Sequence, residues 1–329
     1  MDLSVVFYGT GGSVPTARRA TACVLIRAGG RRILVDCGEG AQRQMMRSTG
    51  LVQVDEILIT HLHADHYLGL PGLLKTYDLH DRSAPLRIAG PPGLNGLFEA
   101  LRRVFGKIRY EVELVEVHAS DPLTYPDEDF EMRPFEVDHR MPAIGWALVE
   151  PERPGRFDAE LARELGISDV RDFGRLQRGE TVSAEGGEVT PGQVLGEARI
   201  GRKVVITGDT APCEMTRLAA HQAQLLVHDG TFCDEDAARA AETGHSTVRQ
   251  AAELAAEAEV SLLALVHISS RYHVGTVLDE AREAFPESHA VRDFDVVEIP
   301  FPERGEPKLI EKGARERPEA APGLEASPP

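Results

Sequence analysis

The hydrophobic positions of this chain fall into short runs that are bounded by turn residues. Runs rich in Val, Ile and Leu recur through the first 150 residues, and this pattern predicts β-strands. Helix-like stretches lie between some of these runs. We predict strands at residues 3–8, 23–27, 32–36, 56–60, 86–89 and 144–149, and helices at 40–48, 69–79 and 94–105.

A second series of strands begins after residue 202 and alternates with helices. The predicted strands are 203–207, 225–228 and 262–266, and the predicted helices are 213–220, 246–258 and 276–285. Strands that first form hairpins and then alternate with helices predict an α+β fold, in which sheets pack face to face and helices cover them on the outside.

The segment 151–197 differs in character from both series. It is charged, contains glycine and has few continuous apolar runs, with a helical piece at 157–165. We interpret it as an arm inserted into a single catalytic domain that spans residues 1–311. The last residues, 312–329, are rich in Pro, Ala and Glu, which predicts a disordered tail.

The composition is that of a folded protein without a membrane anchor. Hydrophobic residues make up 42% of the chain, which is enough for a sizeable core. No run approaches the roughly 18 apolar residues that a membrane span needs, and the N-terminus lacks the basic leader of a signal peptide. Cys23, Cys37, Cys213 and Cys233 form no Cys-x-x-Cys pair, and we predict reduced, buried thiols in a cytoplasmic protein.

The charge of the chain argues against a nucleic-acid substrate. The formal net charge is −17, and an acidic surface repels the phosphates of RNA. Bound metal ions would add local positive charge that a count of side chains omits. The charge therefore disfavours an RNA substrate without deciding the question.

Four potential metal ligands lie close together directly after the predicted strand at 56–60. They are His61, His63, Asp65 and His66. A strand end followed by a tight turn and a helix start can bring such side chains together. Imidazole and carboxylate groups bind zinc and similar divalent ions, whereas the same cluster without a metal would be costly because its polar groups lose water. The segment therefore predicts a metal site.

Further candidate ligands follow other apolar segments. His139 comes after the sequence Phe-Glu-Val-Asp, Asp209 after the strand at 203–207 and His267 after the strand at 262–266. Loops at the ends of strands commonly carry functional sites. Taken alone, each residue is better explained as a capping or satisfied core residue. Together with the first cluster, they supply the residue types for a second ion.

The order His-x-His-x-Asp-His, a separated His, an Asp and a final His resembles the metallo-β-lactamase superfamily. The resemblance implies an αββα sandwich and two divalent metal ions, expected to be Zn²⁺, which ionise a shared water near neutral pH. It also implies the ligand sets, which are His61, His63 and His139 for one ion, Asp65, His66 and His267 for the other, and Asp209 as the bridge.

Finer motifs resemble the ribonuclease Z family, also called tRNase Z. They agree with that family in order and spacing over most of the chain. The segments that carry the resemblance are 8–16, 35–40, 68–74, 139–146, 243–247 and 269–272.

Within this resemblance, Asp229 and His245 form the pair that assists the leaving group. Asp229 stands in His-Asp-Gly-Thr, where many relatives carry His-Glu-Ala-Thr, and it keeps the carboxylate one methylene shorter. It would orient His245, which would protonate the departing oxygen. Alternatively, His245 is a surface residue next to the start of a helix. Arg271 would bind a substrate phosphate through its planar guanidinium, and Ser269 would add a hydroxyl contact.

The predicted arm resembles the family only in part. Its flanks at 154–158 and 174–180 are similar to those of the arm with which ribonuclease Z grips transfer RNA, but the acidic stretch 167–173 departs from the family. A surface loop without a role in RNA binding therefore remains an alternative.

The resemblance implies a homodimeric endoribonuclease that removes the 3′ trailer of precursor tRNA. Asp65 would position the hydroxide that attacks the phosphorus, and the tRNA would keep a free 3′ hydroxyl. One alternative, favoured by the acidic charge and the altered arm, is a hydrolase of a small phosphodiester, sulfate ester or thioester. The other is a non-catalytic RNA-binding protein, against which the complete ligand set argues.

Overall fold

The computed structural model of the protein describes residues 2–125, 130–184 and 186–311. The predicted tail, 312–329, lies outside these residues. The strands are β1 (Leu3–Gly9), β2 (Cys23–Ala28), β3 (Arg31–Val35), β4 (Glu56–Leu58), β5 (Leu86–Gly90), β6 (Val112–Glu116), β7 (Leu123–Thr124), β8 (Glu131–Glu136), β9 (Ile144–Val149), β10 (Val182–Ala184), β11 (Gly187–Val189), β12 (Lys203–Ile206), β13 (Leu225–Asp229), β14 (Leu263–Val266), β15 (Ser288–Ala290), β16 (Val296–Glu298) and β17 (Lys308–Ile310).

Helices connect many of these strands. They are α1 (Ala41–Ser48), α2 (Ala64–Tyr67), α3 (Leu70–Leu79), α4 (Leu94–Phe105), α5 (Ala159–Glu164), α6 (Val170–Gln177), α7 (Pro191–Val194), α8 (Glu214–Ala220), α9 (Ala237–Thr243), α10 (Val248–Glu257) and α11 (Val274–Ala284), together with short 3₁₀ helices at Asp234–Asp236 and Pro302–Arg304.

The strands form two large sheets. An eight-stranded sheet has the order β17-β16-β1-β2-β3-β4-β5-β6, and a seven-stranded sheet has the order β15-β14-β13-β12-β9-β8-β7. In the first sheet, β1 pairs antiparallel with β2 and β16, and β3 to β6 run parallel. In the second sheet, β12 to β15 run parallel.

The sheets sandwich the main hydrophobic core, and β1 shows how the sequence builds it. Because successive side chains of a strand point to opposite faces, Val5 and Phe7 join the core that both sheets share. Val6 and Tyr8 instead join a second cluster with residues of α1, α3 and α4. On the other sheet, α8 packs against β12, and α10 packs against β13 and β14. The predicted arrangement of two facing sheets with helices outside is confirmed.

The predicted strands and helices are present, with ends shifted by at most two residues. The elements that the sequence analysis missed are mostly short, and they also include β6, β8 and α6, in which charged residues interrupt the apolar patterns. The acidic stretch of the predicted arm is not an irregular loop, since Asp169 caps α6 by accepting a hydrogen bond from the Arg171 N–H at 2.8 Å. Asp172 in the same helix pairs with Arg175 at 3.1 Å.

Residues Val149–Arg202 form a compact unit of their own. The predicted arm, 151–197, lies within this unit. Its small core contains Ala162, Ile167, Leu176, Val182 and Val194 among its buried residues. This core packs α5, α6 and the β10–β11 hairpin into one body.

The two ends of this unit are joined by a buried ion pair. The Arg202 guanidinium donates to both carboxylate oxygens of Glu150, at 2.9 and 2.6 Å, and the Arg202 backbone N–H donates to the same carboxylate at 3.0 Å. Both side chains are almost fully buried, at 2% and 6% exposure. The Glu150 carboxylate therefore balances the charge of Arg202, which is buried away from water.

We expect Glu150→Gln to lower the free energy of unfolding by about 3–5 kcal/mol, because the neutral amide cannot balance the buried Arg202 charge as the carboxylate does. Urea denaturation followed by circular dichroism measures this loss. Glu152→Gln, an exposed neighbour, is the matched control and should leave the transition unchanged. An equal transition for both variants would contradict the expectation.

Within the described ranges, no helix has both the length and the apolar character that crossing a membrane requires.

Candidate metal centre

The candidate ligands gather at the C-terminal ends of strands. His61 follows β4, Asp209 follows β12 and His267 directly follows β14. Because β12, β13 and β14 are parallel, their C-terminal ends lie along one edge of the sheet, which is where α/β sheets commonly carry their sites. His139 follows β8 and reaches the same cluster.

The first group of ligand atoms contains three imidazoles and one carboxylate. His63 Nδ1 lies 3.0 Å from His61 Nε2 and 3.3 Å from His139 Nε2. His61 Nε2 lies 3.7 Å from Asp209 Oδ2. Ligands about 2.1 Å from a tetrahedral zinc ion would be separated by about 3.4 Å. The spacing of the group therefore fits one such ion.

The second group shares Asp209 with the first. His267 Nε2 lies 3.3 Å from both Asp65 Oδ2 and Asp209 Oδ2. His66 Nε2 lies 3.6 Å from Asp65 Oδ2 and 3.4 Å from Asp209 Oδ1. Because the two oxygens of Asp209 contact members of both groups, this carboxylate occupies the position of a bridging ligand.

Hydrogen bonds at Nδ1 leave Nε2 of four histidines free for a cation. His66 Nδ1 contacts Asp36 at 2.7 Å, and His139 Nδ1 donates to the Gly244 carbonyl at 2.7 Å. The Nδ1 atoms of His61 and His267 contact threonine hydroxyls. Such outer contacts fix the tautomer of metal-binding histidines.

The buried atoms of the cluster require a partner that the protein does not provide. His66 Nε2 is buried and makes no hydrogen bond with any of the described residues. A buried nitrogen that lacks a hydrogen-bond partner is costly, and a divalent cation would satisfy it. The nitrogen and oxygen donors also suit zinc. The residues therefore fit a pair of metal ions.

The protonation states of two residues suit metal binding. Burial alone would raise the pKa of Asp209, but the surrounding imidazoles hold it well below its usual value. Burial and the neighbouring His66 lower the pKa of His61 well below its ordinary range. An ionised carboxylate and a neutral imidazole are the forms that bind metals.

The backbone around His267 is constrained. Its φ of 58° lies in the left-handed region that residues other than glycine rarely adopt. A Cβ at Gly12 would lie 2.6 Å from the His267 ring atoms Cε1 and Nδ1, so only glycine fits there. Strain of this kind persists where the surrounding structure holds a functional residue in place.

His245 and Asp229 form a dyad beside the cluster. His245 Nδ1 lies 2.7 Å from Asp229 Oδ2, and the His245 ring stacks on His267 at a centroid distance of 5.1 Å. Although burial disfavours the charged imidazole, the Asp229 carboxylate raises the pKa of His245 to about 9. His245 can therefore carry a proton next to the metal ligands near neutral pH.

Comparisons with known proteins identify the family. Residues 16–267 match the metallo-β-lactamase superfamily. The chain is 46% identical to Ribonuclease Z of Haloferax volcanii over 306 residues, which cover 92% of this chain and 96% of that protein. It is 44% identical to Ribonuclease Z of Gemmatimonas aurantiaca over 308 residues, 92% of this chain and 98% of that protein. The chain belongs to the ribonuclease Z family.

A solved structure of the ribonuclease Z family supports the same assignment. The short form of human tRNase Z superimposes with a TM-score of 0.64 at 28% identity and covers 90% of this chain and 99% of its own. The predicted αββα fold is confirmed, and the chain is a metal-dependent hydrolase of the nuclease class.

The structure brings the predicted ligands together in two groups, which are His61, His63, His139 and Asp209, and Asp65, His66 and His267. A third group joins Asp209 and His267 to Asp229 and His245. The predicted phosphate-binding residue Arg271 lies outside the cluster. It pairs with Asp236 at 3.2 Å, and its guanidinium lies 5.9 Å from the centre of the Phe232 ring. Ser269 is only partly exposed, and its backbone N–H donates to the Thr231 carbonyl at 3.3 Å.

The sequence analysis missed several residues that support the predicted ligands. Asp36 follows β3 in the same way as Asp209 follows β12, and this position was the available signal. Thr60 and Thr231 carry no such signal, because threonine at a strand end is common and its hydroxyl acquires a role only when the partners are known. Asp236 lies in a 3₁₀ helix, where an acidic residue is unremarkable in sequence.

Proposed function

We propose that this protein is an endoribonuclease that removes the 3′ trailer of precursor tRNA and leaves a 3′ hydroxyl on the tRNA. The main support is the combination of a full ligand cluster and an adjacent His245–Asp229 dyad in a chain whose near full-length relatives are named Ribonuclease Z. Phosphodiester cleavage needs positive charge at the phosphate and a proton for the departing oxygen.

Each group of residues has a separate task in this proposal. His61, His63 and His139 would hold one cation, Asp65, His66 and His267 the other, and Asp209 both. When bound, the two cations would supply positive charge to the phosphate and an ionised water near neutral pH.

Asp65 would assist the attack of water on the phosphorus, and the dyad would assist the departure of the 3′ oxygen. The Ser13 N–H donates to Asp65 Oδ2 at 2.9 Å, which fixes the carboxylate next to His267 so that it can orient the attacking water. His245 uses Nδ1 to contact Asp229, so its Nε2 is the atom available to protonate the departing 3′ oxygen.

Arg271 would bind a phosphate next to the scissile one. The Phe232 ring centre is close to both Arg271 and the dyad, 5.9 Å from the guanidinium and 6.0 Å from the His245 ring centre. Asp236 pairs with the guanidinium at 3.2 Å, and the Tyr272 hydroxyl donates to the same carboxylate. We propose that Ser269 adds a hydroxyl contact to the same phosphate.

The decisive experiment compares two substrates. A precursor tRNA with a 3′ trailer and bis(p-nitrophenyl) phosphate are incubated in parallel with wild type and with Asp65→Ala, and the RNA ends are mapped. Accurate trailer removal by the wild type, lost in the variant, supports the proposal. Efficient cleavage of the small ester without RNA cleavage would instead assign a small-molecule hydrolase. RNA binding by a protein without bound metal would assign a non-catalytic role.

We also propose zinc as both ions, a homodimeric state and a cytoplasmic location. The nitrogen-rich ligand set favours zinc, and four free cysteines suit a reducing compartment. Elemental analysis of protein purified without added metal and sedimentation of the same sample would measure the first two. Fractionation of the source cells would locate the protein.

Residues Val149–Arg202 would contact the tRNA body. Arg156 and Arg171 are exposed in this unit, whereas Arg175 pairs with both Asp172 and Glu180. Free guanidinium groups are suited to RNA phosphates. The unit has eleven acidic and eight basic residues, so we propose that contact with the tRNA depends on these exposed arginines and not on a net positive charge.

We expect removal of residues 157–195 to raise KM for precursor tRNA at least about tenfold, equivalent to about 1.4 kcal/mol of binding. The cut is suitable because the Gly196 N–H donates to the Arg156 carbonyl at 3.0 Å, so a short Gly-Ser link can rejoin the ends. Hydrolysis of bis(p-nitrophenyl) phosphate should keep its wild-type rate. Loss of both activities would show damage to the catalytic unit, and unchanged tRNA kinetics would refute the role of the arm.

A further inference from the structure

Two buried aspartate–threonine pairs lie behind the metal ligands. Asp36 follows β3, and its Oδ1 accepts the Thr60 N–H at 2.8 Å. Asp229 ends β13, and its Oδ1 accepts the Thr231 N–H at 2.9 Å. The Thr60 hydroxyl donates to Asp36 at 2.9 Å, and the Thr231 hydroxyl donates to Asp229 at 2.6 Å. In both pairs, which belong to different sheets, the aspartate accepts the backbone N–H and the hydroxyl of the threonine, although the hydroxyl contacts both oxygens of Asp36 and only Oδ1 of Asp229.

Each pair contacts two histidines. Asp36 Oδ2 contacts His66 Nδ1 directly at 2.7 Å, and Thr60 Oγ1 contacts His61 Nδ1 at 3.1 Å. In each pair the carboxylate serves one histidine and the hydroxyl serves another. The histidines served by Asp36 and Thr60 are both candidate metal ligands.

The second pair serves histidines of different function. Asp229 Oδ2 contacts His245 Nδ1 at 2.7 Å, and Thr231 Oγ1 contacts His267 Nδ1 at 2.7 Å. His245 belongs to the proposed leaving-group dyad, whereas His267 is a candidate metal ligand. The Asp229 carboxylate thus contacts His245 directly and is connected to the candidate metal ligand His267 through Thr231.

The hydrogen-bond chemistry fixes the direction of each contact. A hydroxyl has one proton, and an ionised carboxylate only accepts, so the Thr231 proton is used on Asp229. The oxygen of Thr231 must then accept, and His267 must donate from Nδ1. This leaves the lone pair of His267 on Nε2, the atom that lies 3.3 Å from Asp65 and Asp209.

We propose that Thr231 is a positioning residue that lets the Asp229 carboxylate hold both the His245 dyad and the metal ligand His267. Thr60 has the corresponding role for His61 in the first ligand group. This inference rests on the proposed function only for the identity of the dyad, because the metal-binding part holds whichever ester is the substrate.

The test uses Thr231→Val, which keeps the shape but removes the hydroxyl, with Thr231→Ser as the variant that restores it. Zinc affinity of the holoenzyme is measured by chelator competition, and bound zinc by elemental analysis. We expect Thr231→Val to weaken one ion by about 10–100-fold, as loss of an outer hydrogen bond typically does. Thr231→Ser should recover most of that affinity. Thr60→Val should weaken the ion held by His61 and also, because Asp36 loses a donor beside His66, the second ion.

The two variants also differ in their effect on the dyad. Thr231→Val should lower kcat for precursor tRNA further than its zinc occupancy accounts for, because Asp229 loses a donor that holds it against His245. Thr60→Val at saturating zinc should not show this additional loss. Wild-type affinity for both ions in Thr231→Val would overturn the inference, and so would equal losses in the valine and serine variants.

A measurement on the wild type keeps the inference testable if Thr231→Val does not fold. Nitrogen-15 NMR of the zinc-loaded protein should show His267 with its proton on Nδ1, and a proton on Nε2 would overturn the inference. Metal affinity is read without RNA, so the two proposals can fail separately. If Thr231→Val weakens zinc binding as expected but the wild type does not cleave precursor tRNA, only the proposed function is refuted.

Discussion

Replacing Asp209 by asparagine is expected to abolish most of the activity of this enzyme. The carboxylate is the one ligand whose oxygens contact both groups, and asparagine keeps its shape but removes its charge and half of its acceptor capacity. Loss of the paired metal ions would remove several kcal/mol of charge stabilisation at the phosphate. This corresponds to a drop in kcat on the order of 10³-fold.

The measurement combines activity with metal content. Purified Asp209→Asn should contain fewer than two zinc ions per chain, and added zinc should restore activity only in part. The exposed Asp279 on α11 supplies the control, since Asp279→Asn removes the same charge away from the cluster. A variant that binds two ions and cleaves at the wild-type rate would remove Asp209 from the bridging position.

Replacing His245 by alanine is expected to lower kcat for precursor tRNA by about 10²–10⁴-fold, the range typical of a lost general acid. A ribose 3′ oxygen is a poor leaving group without a proton. A nitrophenolate departs without one, so hydrolysis of bis(p-nitrophenyl) phosphate should fall much less. Zinc content should not change, because His245 is not among the proposed ligands.

Asp229→Asn tests the same proton donation by changing the carboxylate that contacts His245. Because Asp229 also holds His267 through Thr231, this variant is assayed at saturating zinc. An amide cannot balance the imidazolium charge, so the loss on precursor tRNA should then approach that of His245→Ala. The double variant should then add little, because the two residues act as one unit. Equal losses on both substrates in His245→Ala would mean that His245 supports the metal ions instead of the leaving group.

Much of this site could be predicted because its ligands follow apolar strands. His61, Asp209 and His267 are each marked by a strand that ends shortly before them, and parallel strands bring such ends to one edge. Their assignment to two ions came from resemblance, since the sequence does not show which distant side chains meet. The distances around Asp209 supply that information.

Other features could not be predicted, because they depend on partners far away in sequence. The Thr231 hydroxyl reaches a candidate metal ligand through His267, which lies 36 positions later in the sequence. Glu150 and Arg202 are 52 positions apart. The sequence around each residue does not indicate that the two form an ion pair. The acidic arm residues were interpreted as a departure from the family, and only the structure shows that Asp169 begins a helix.

The chain enters and leaves the Val149–Arg202 unit at neighbouring positions, and this affects which changes of sequence the protein can tolerate. The backbone of Arg153 and Arg199 is joined by two hydrogen bonds of 2.8 Å, so the chain leaves β9 and comes back to β12 through neighbouring positions. Residues between these points can be gained, lost or exchanged without altering the spacing of the strands that carry the metal ligands. If this unit contacts the tRNA as proposed, substitutions within it can change substrate recognition while the residues of the metal site stay the same.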